Sequence, residues 1–222
     1  MKVLQFISIP LLIIVLLGTT ISFQSCKPDD DAEPECDTCI IVYKPNIYIY
    51  PKEIIQLIVE IDFPLGGEIL TSIPEYEFGW NVSVDTNGLI NNNYNYLFYE
   101  SKQPDIWQKH KGWIIPQTDL AVFFEDNLSE YGFQGAEIQD FNEYWIPRFN
   151  DFNYYAIYPQ TSEKINEVIS LNFSIPPDNI QRLFYLVEGR NNLPDLSLEE
   201  PIIDTGFKRE SYFVTEWGVI LK

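Results

Sequence analysis

The hydrophobic period of this chain changes twice along its length, and that change limits what it can fold into. Ile55, Leu57, Val59, Ile61 and Phe63 alternate with Gln56, Ile58, Glu60 and Asp62, the period of a strand buried on one face. Pro64 and Gly66-Gly67 end the run. Trp80, Val82 and Val84 repeat the alternation and lead into Asp85-Thr86-Asn87-Gly88, a turn sequence. A further strand over residues 94–99 carries Tyr94, Tyr96 and Phe98 on one side. Ile47-Tyr48-Ile49-Tyr50 reads as a short strand, and its flanking Pro45 and Pro51 predict an edge position or a strand end.

In the middle the spacing turns helical. Leu120, Phe123, Phe124, Leu128 and Tyr131 share one helix face, with Thr118 or Asp119 as the cap and Gly132 as the stop. Ile138, Phe141, Trp145 and Phe149 stripe a second helix over 136–148, which Pro147 ends or kinks. Alternation returns at Ile169, Leu171, Phe173 and Ile175, and residues 183–187 and 212–221 complete the strands. Strands, two helices and strands again predict an α+β fold: one β-rich, mostly antiparallel domain over 40–222, and not a βαβ parallel sheet.

The 33 acidic and 14 basic side chains leave a formal charge of −19, which repels nucleic acid and anionic lipid head groups and excludes nucleic acid as a partner. Aromatic residues make up 15% of the chain, suiting half-buried pleated surfaces or a stacking platform for sugars, with core packing the commoner use.

Residues 1–25 are expected to be removed. Met1-Lys2 is a basic start, and the apolar run over 6–17 is too short to span a hydrocarbon layer of ~30 Å. It matches the core of a secretory signal. Phe23-Gln24-Ser25-Cys26 resembles the lipobox of bacterial lipoproteins, which implies acylation of Cys26 and a membrane anchor. An uncleaved anchor and a signal cleaved elsewhere are the competing readings. Residues 26–39 predict a flexible acidic tether, because Lys27 to Glu35 hold prolines and carboxylates but no large apolar group. Their start resembles the surface-export signal of lipoproteins of the Bacteroidetes group, implying the outer face of an outer membrane in the cell envelope.

Cys36 and Cys39 are spaced as Cys-x-x-Cys. A zinc site would need four ligands, and the chain adds only His110. A local disulfide is the expectation, and no metal or cofactor is implied.

Lys44-Pro45-Asn46-Ile47-Tyr48-Ile49-Tyr50-Pro51 resembles the Lys-Pro-x-Ile-Tyr-Leu-Tyr-Pro opening of a family of uncharacterised bacterial proteins. Further segments follow in the family's order: Tyr76 with Gly79-Trp80-Asn81-Val82, then Tyr96-Leu97-Phe98-Tyr99-Glu100. Phe141-Asn142-Glu143-Tyr144-Trp145-Ile146-Pro147-Arg148 and Thr215-Glu216-Trp217-Gly218 complete the series. The resemblance implies one shared domain and carries over no catalytic residue.

The sequence lacks a dinucleotide or phosphate-binding glycine loop and a nucleophile elbow. His110, between two lysines, is expected at the surface. Glu100, Glu143 and Glu216 each neighbour aromatic residues, the setting a glycosidase carboxyl pair needs. Together with Trp80, Trp145, Trp217 and Arg148 they form a candidate ligand-binding cleft for a glycan or an envelope protein. Three functions follow: a non-enzymatic binding domain, a glycan hydrolase with paired carboxylates, or a structural accessory of an envelope complex.

Overall fold

A computed structural model describes residues 38–193 and 197–222. The signal segment, Cys26, Cys36 and the tether as far as Asp37 lie outside the described residues.

Among the described residues, ten strands form two sheets. The larger contains β1 (Cys39–Tyr50), β3 (Glu68–Ile73), β5 (Leu97–Pro104), β6 (Trp113–Pro116), β7 (Tyr154–Thr161), β9 (Asn179–Arg190) and β10 (Phe213–Leu221), in the order β3-β5-β1-β10-β9-β7-β6. The smaller contains β2 (Ile55–Asp62), β4 (Trp80–Val84) and β8 (Ser170–Phe173), in the order β4-β2-β8. Every pairing is antiparallel except β9 with β10. The helices are α1 (Leu120–Glu130), α2 (Ala136–Trp145) and α3 (Ser162–Val168). The fold is α+β, as the change of period predicts.

Strand periodicity divides the core in two. On β1, Ile47 and Ile49 point toward Leu57, Val59 and Val82 of the smaller sheet. Tyr48, between them, points toward the helices and joins Phe124, Phe141 and Trp217. The central strands of the larger sheet therefore form a layer buried on both faces, while β3 and β6 at its ends hold no fully buried residue. Phe124 on α1 shows how the helix layer is fixed: its ring sits 4.8 Å from Phe141 and 5.1 Å from Tyr185. Truncating such a fully buried ring costs about 3–5 kcal/mol.

Both predicted helices form. α1 ends where Gly132 adopts φ +92°, and α2 gives way at Ile146 to a single 3-10 turn holding Pro147. The placement of β1 differs from expectation. It is a twelve-residue central strand, hydrogen-bonded to β5 and β10. Pro45 is tolerated there because the register slips between Tyr43 and Asn46 on one side and between Val42 and Asn46 on the other. At a bulge no ladder donor is required of the proline. Lys44 absorbs the distortion with φ +51°, a left-handed backbone unusual for a lysine. β3, β6, β7 and α3 were not foreseen. Six consecutive residues of β7, Tyr155 to Gln160, are buried, so no alternation marks it.

Candidate functional site

The β1 bulge turns Lys44 toward the helix-facing side of the sheet, where α2 and β5 approach it. Its ammonium lies 5.1 Å from the Tyr96 ring centroid, 5.0 Å from Phe98 and 4.8 Å from Tyr144. This is a three-ring cage for a cation, filled by the protein's own side chain. The ammonium donates one long hydrogen bond, 3.5 Å, to the Tyr96 hydroxyl. Its remaining donors are free to meet a ligand.

Beside the cage a groove of 320 Å³ opens between Lys44, Tyr94, Tyr96, Phe98 and Tyr144, with the exposed amides of Asn93 and Asn95 on its rim. Behind it, Tyr48 donates a 2.8 Å hydrogen bond to Asp140 and packs edge-on against Tyr96 at 5.3 Å. Arg148 lies 3.7 Å above the Tyr144 ring and donates to the Tyr144 carbonyl, fixing that ring's outer face.

Burial governs the charges here. It lowers the Lys44 pKa below the ordinary lysine value, partly offset by the attraction of Asp140 and Glu100. Burial also raises the Glu100 pKa, which the Lys44 backbone N–H and ammonium partly counter. It raises the Tyr96 phenol in the same way, with Asp140 adding to the effect. Two cations, Lys44 and Arg148, thus stand near two carboxyls, Glu100 and Asp140, and the site carries little net charge.

The seven predicted cleft residues do not converge. Trp80 is 2% exposed in the core between the sheets, its indole N–H donating to the Pro74 carbonyl. Trp145, 2% exposed, stacks on Phe149 in the helix-side core. Trp217 is wholly buried there and donates to the Glu137 carbonyl. None of the three can stack on a ligand; these aromatic side chains pack the core. Glu216 is also wholly buried, ion-paired to Arg182 at 2.5 Å and accepting a hydrogen bond from Tyr99. Glu143 is exposed on α2, bonded to Gln139 and lining a separate depression with Glu125. Only Glu100 and Arg148 lie close enough to act on the Lys44 charge, and neither lines the groove itself.

The residues that sequence reasoning missed are Lys44, Tyr94, Tyr96, Phe98, Asp140 and Tyr144. Segments 44–51, 96–100 and 141–148, far apart in sequence, meet at this groove. His110 is exposed, as expected, and lines a second hollow of 380 Å³ with Lys111 and Glu163. Cys39 is disulfide-bonded, and its partner lies outside the described residues. Among the described residues, no group of three His, Cys, Asp or Glu side chains is placed to hold a metal ion. No family model, curated protein or solved structure matches this chain.

Proposed function

We propose that the chain is an exported, lipid-anchored recognition domain of the bacterial envelope, displayed from an outer membrane through Cys26, and that it binds a neutral saccharide in the Lys44 groove. The observation that carries the ligand reading is the groove itself: half-buried aromatic rings, free ammonium donors and a rim of two amides within 320 Å³. Rings cover the C–H faces of a sugar while the amides and the ammonium meet its hydroxyls. Charge selects against other ligands. A cation would compete with Lys44 for the same cage, and an anion would face Glu100, Asp140 and a chain of formal charge −19.

A glycan array probed with the full-length chain in detergent, beside its Tyr144→Ala and Asn95→Ala variants, tests this. Binding that Tyr144→Ala weakens at least tenfold without loss of the fold supports the groove. Binding that both variants leave intact removes it from consideration. A hydrolase reading rests on one observation, the raised pKa of Glu100 with Asp140 acting on the same lysine. It predicts new reducing ends released from any glycan bound, and their absence rejects it.

A further inference from the structure

We propose that the hollow between the end of β6 and the start of β7 is a second saccharide subsite, so that the ligand is a neutral oligosaccharide chain running from the Lys44 groove past Arg148; this rests on the saccharide reading proposed above.

The hollow measures 450 Å³, and its lining carries no charged side chain in a chain whose formal charge is −19. Its polar groups are amides held in one orientation. The side-chain nitrogen of Gln117 donates to the Phe149 carbonyl at 3.2 Å, that of Asn150 to the Pro147 carbonyl at 2.8 Å, and that of Asn153 to the Asn191 carbonyl at 2.9 Å. A backbone carbonyl can only accept, so each amide must turn its NH2 group toward the backbone. The three side-chain oxygens accept no hydrogen bond from any described residue, and they are what these amides offer a ligand. Fixed acceptors call for a partner rich in donors, and sugar hydroxyls are such donors.

Aromatic surface stands beside them. Phe152 is 38% exposed, and its ring is bedded on the backbone of β9: a Cβ at Gly189 would lie 1.9 Å from it, so any side chain there would displace the ring. Tyr155 meets the same ring edge-on at 6.0 Å and holds it in place. Tyr154, half-buried, supplies a second ring to the hollow. Rings for the C–H faces of a sugar and oriented amides for its hydroxyls are the two halves of a saccharide site. The charges nearest along the chain are Asp119, which accepts the Thr118 hydroxyl proton, and the exposed Asp151. Two carboxylates at the margin repel an anionic sugar and leave a neutral one.

One short stretch of chain joins the two sites. Tyr144 lines the groove and Asn150 lines the hollow. Between them α2 ends and a single 3-10 turn, Ile146–Arg148, follows. At ~1.5 Å per residue in the helix and ~2 Å in the turn, the two positions stand within about 13 Å of each other. Arg148, exposed in that turn and 3.7 Å above the Tyr144 ring, offers further donors to a chain passing from one site to the other. A monosaccharide fills one site. A chain of several sugars fills both, and its second contact forms at the effective concentration set by the first.

The test is chemical-shift mapping of the isotope-labelled full-length chain in detergent, titrated with maltose-type and cellobiose-type oligosaccharides of one to six units, beside a Gln117→Ala/Asn150→Ala variant. Short members are expected to shift Lys44 and Asn93 to Tyr96. Members of four units or more should also shift Gln117, Asn150 and Asn153 and bind at least about tenfold tighter than the disaccharide, a gain the variant loses. Affinity that does not rise with length, or a rise the variant keeps, overturns the second subsite and leaves the groove standing. Shifts at Gln117, Asn150 and Asn153 with none at Lys44 overturn the groove and the joined chain together. Shifts there with calcium chloride but with no saccharide overturn the sugar reading of the hollow in favour of a cation, and no shift with any member overturns both sites.

Discussion

Removing one member of the buried pair between Arg182 and Glu216 is expected to cost far more stability than removing both. Arg182 is 1% exposed and Glu216 is 0% exposed, so neither has water to turn to. The guanidinium Nε meets Glu216 at 2.5 Å, and one terminal nitrogen reaches both Asn166 and the Ile169 carbonyl at 2.6 Å. Tyr99 closes the network with a 2.9 Å hydrogen bond to Glu216. Glu216→Gln keeps the shape but leaves the guanidinium buried and unpaired, a loss of about 3–5 kcal/mol. Arg182→Met leaves the carboxylate in the same position, at a similar cost. Because these losses take a large share of the ~5–15 kcal/mol that holds a domain folded, each single variant is expected to be marginal. The double variant retains only a neutral amide beside the Tyr99 hydroxyl, and its expected loss is about 1–2 kcal/mol. Urea unfolding followed by tryptophan fluorescence, with unchanged m-values, reads all three. Singles costing under ~1 kcal/mol, or losses that simply add in the double variant, would refute the reasoning.

Three further outcomes follow from other contacts. Arg209 meets both oxygens of the buried Glu137 at 2.9 Å, so Arg209→Ala should cost about 2–3 kcal/mol and speed hydrogen exchange over residues 202–211. A Cβ at Gly112 would lie 2.2 Å from the Ile157 carbonyl, a backbone atom held in the β6–β7 ladder; Gly112→Ala should therefore lower stability by about 3 kcal/mol, read as a fall in Tm. Tyr99 and Tyr185 are fully enclosed, and burial holds both phenols well above pKa 10. Below pH 10 both folded and unfolded chains keep these protons. Above it only the unfolded chain releases them, so stability should fall by about 1.4 kcal/mol per pH unit for each, with the tyrosinate absorbance of these two phenols appearing only as the chain unfolds.

The two helices were legible because a stripe at helical spacing records one buried face, and Leu120, Phe124 and Leu128 are the residues α1 buries. β2 and β4 were legible for the same reason at strand spacing. Where both faces of a strand are covered, the pattern vanishes, and β7 passed unnoticed. Pro45 suggested an edge because a proline breaks a regular ladder, and nothing local announces that a bulge will accommodate it. The site suffered from a different loss of information. Composition supplies aromatic residues without saying which are buried, so Trp80, Trp145 and Trp217 stood for a cleft although all three pack the core. The cage around Lys44 draws its rings from β5, the segment before it and α2, and such a meeting is set by tertiary packing rather than by spacing.

The central claim is that a ligand sits against Lys44, Tyr96, Phe98 and Tyr144. Chemical-shift mapping of the isotope-labelled full-length chain in detergent, titrated with a panel of neutral saccharides, tests it most directly. The account predicts saturable shifts concentrated at Lys44, Asn93 to Tyr96, Phe98 and Tyr144. Shifts gathered instead around His110 and Lys111, or none with any saccharide while the spectrum remains that of a folded domain, would contradict it.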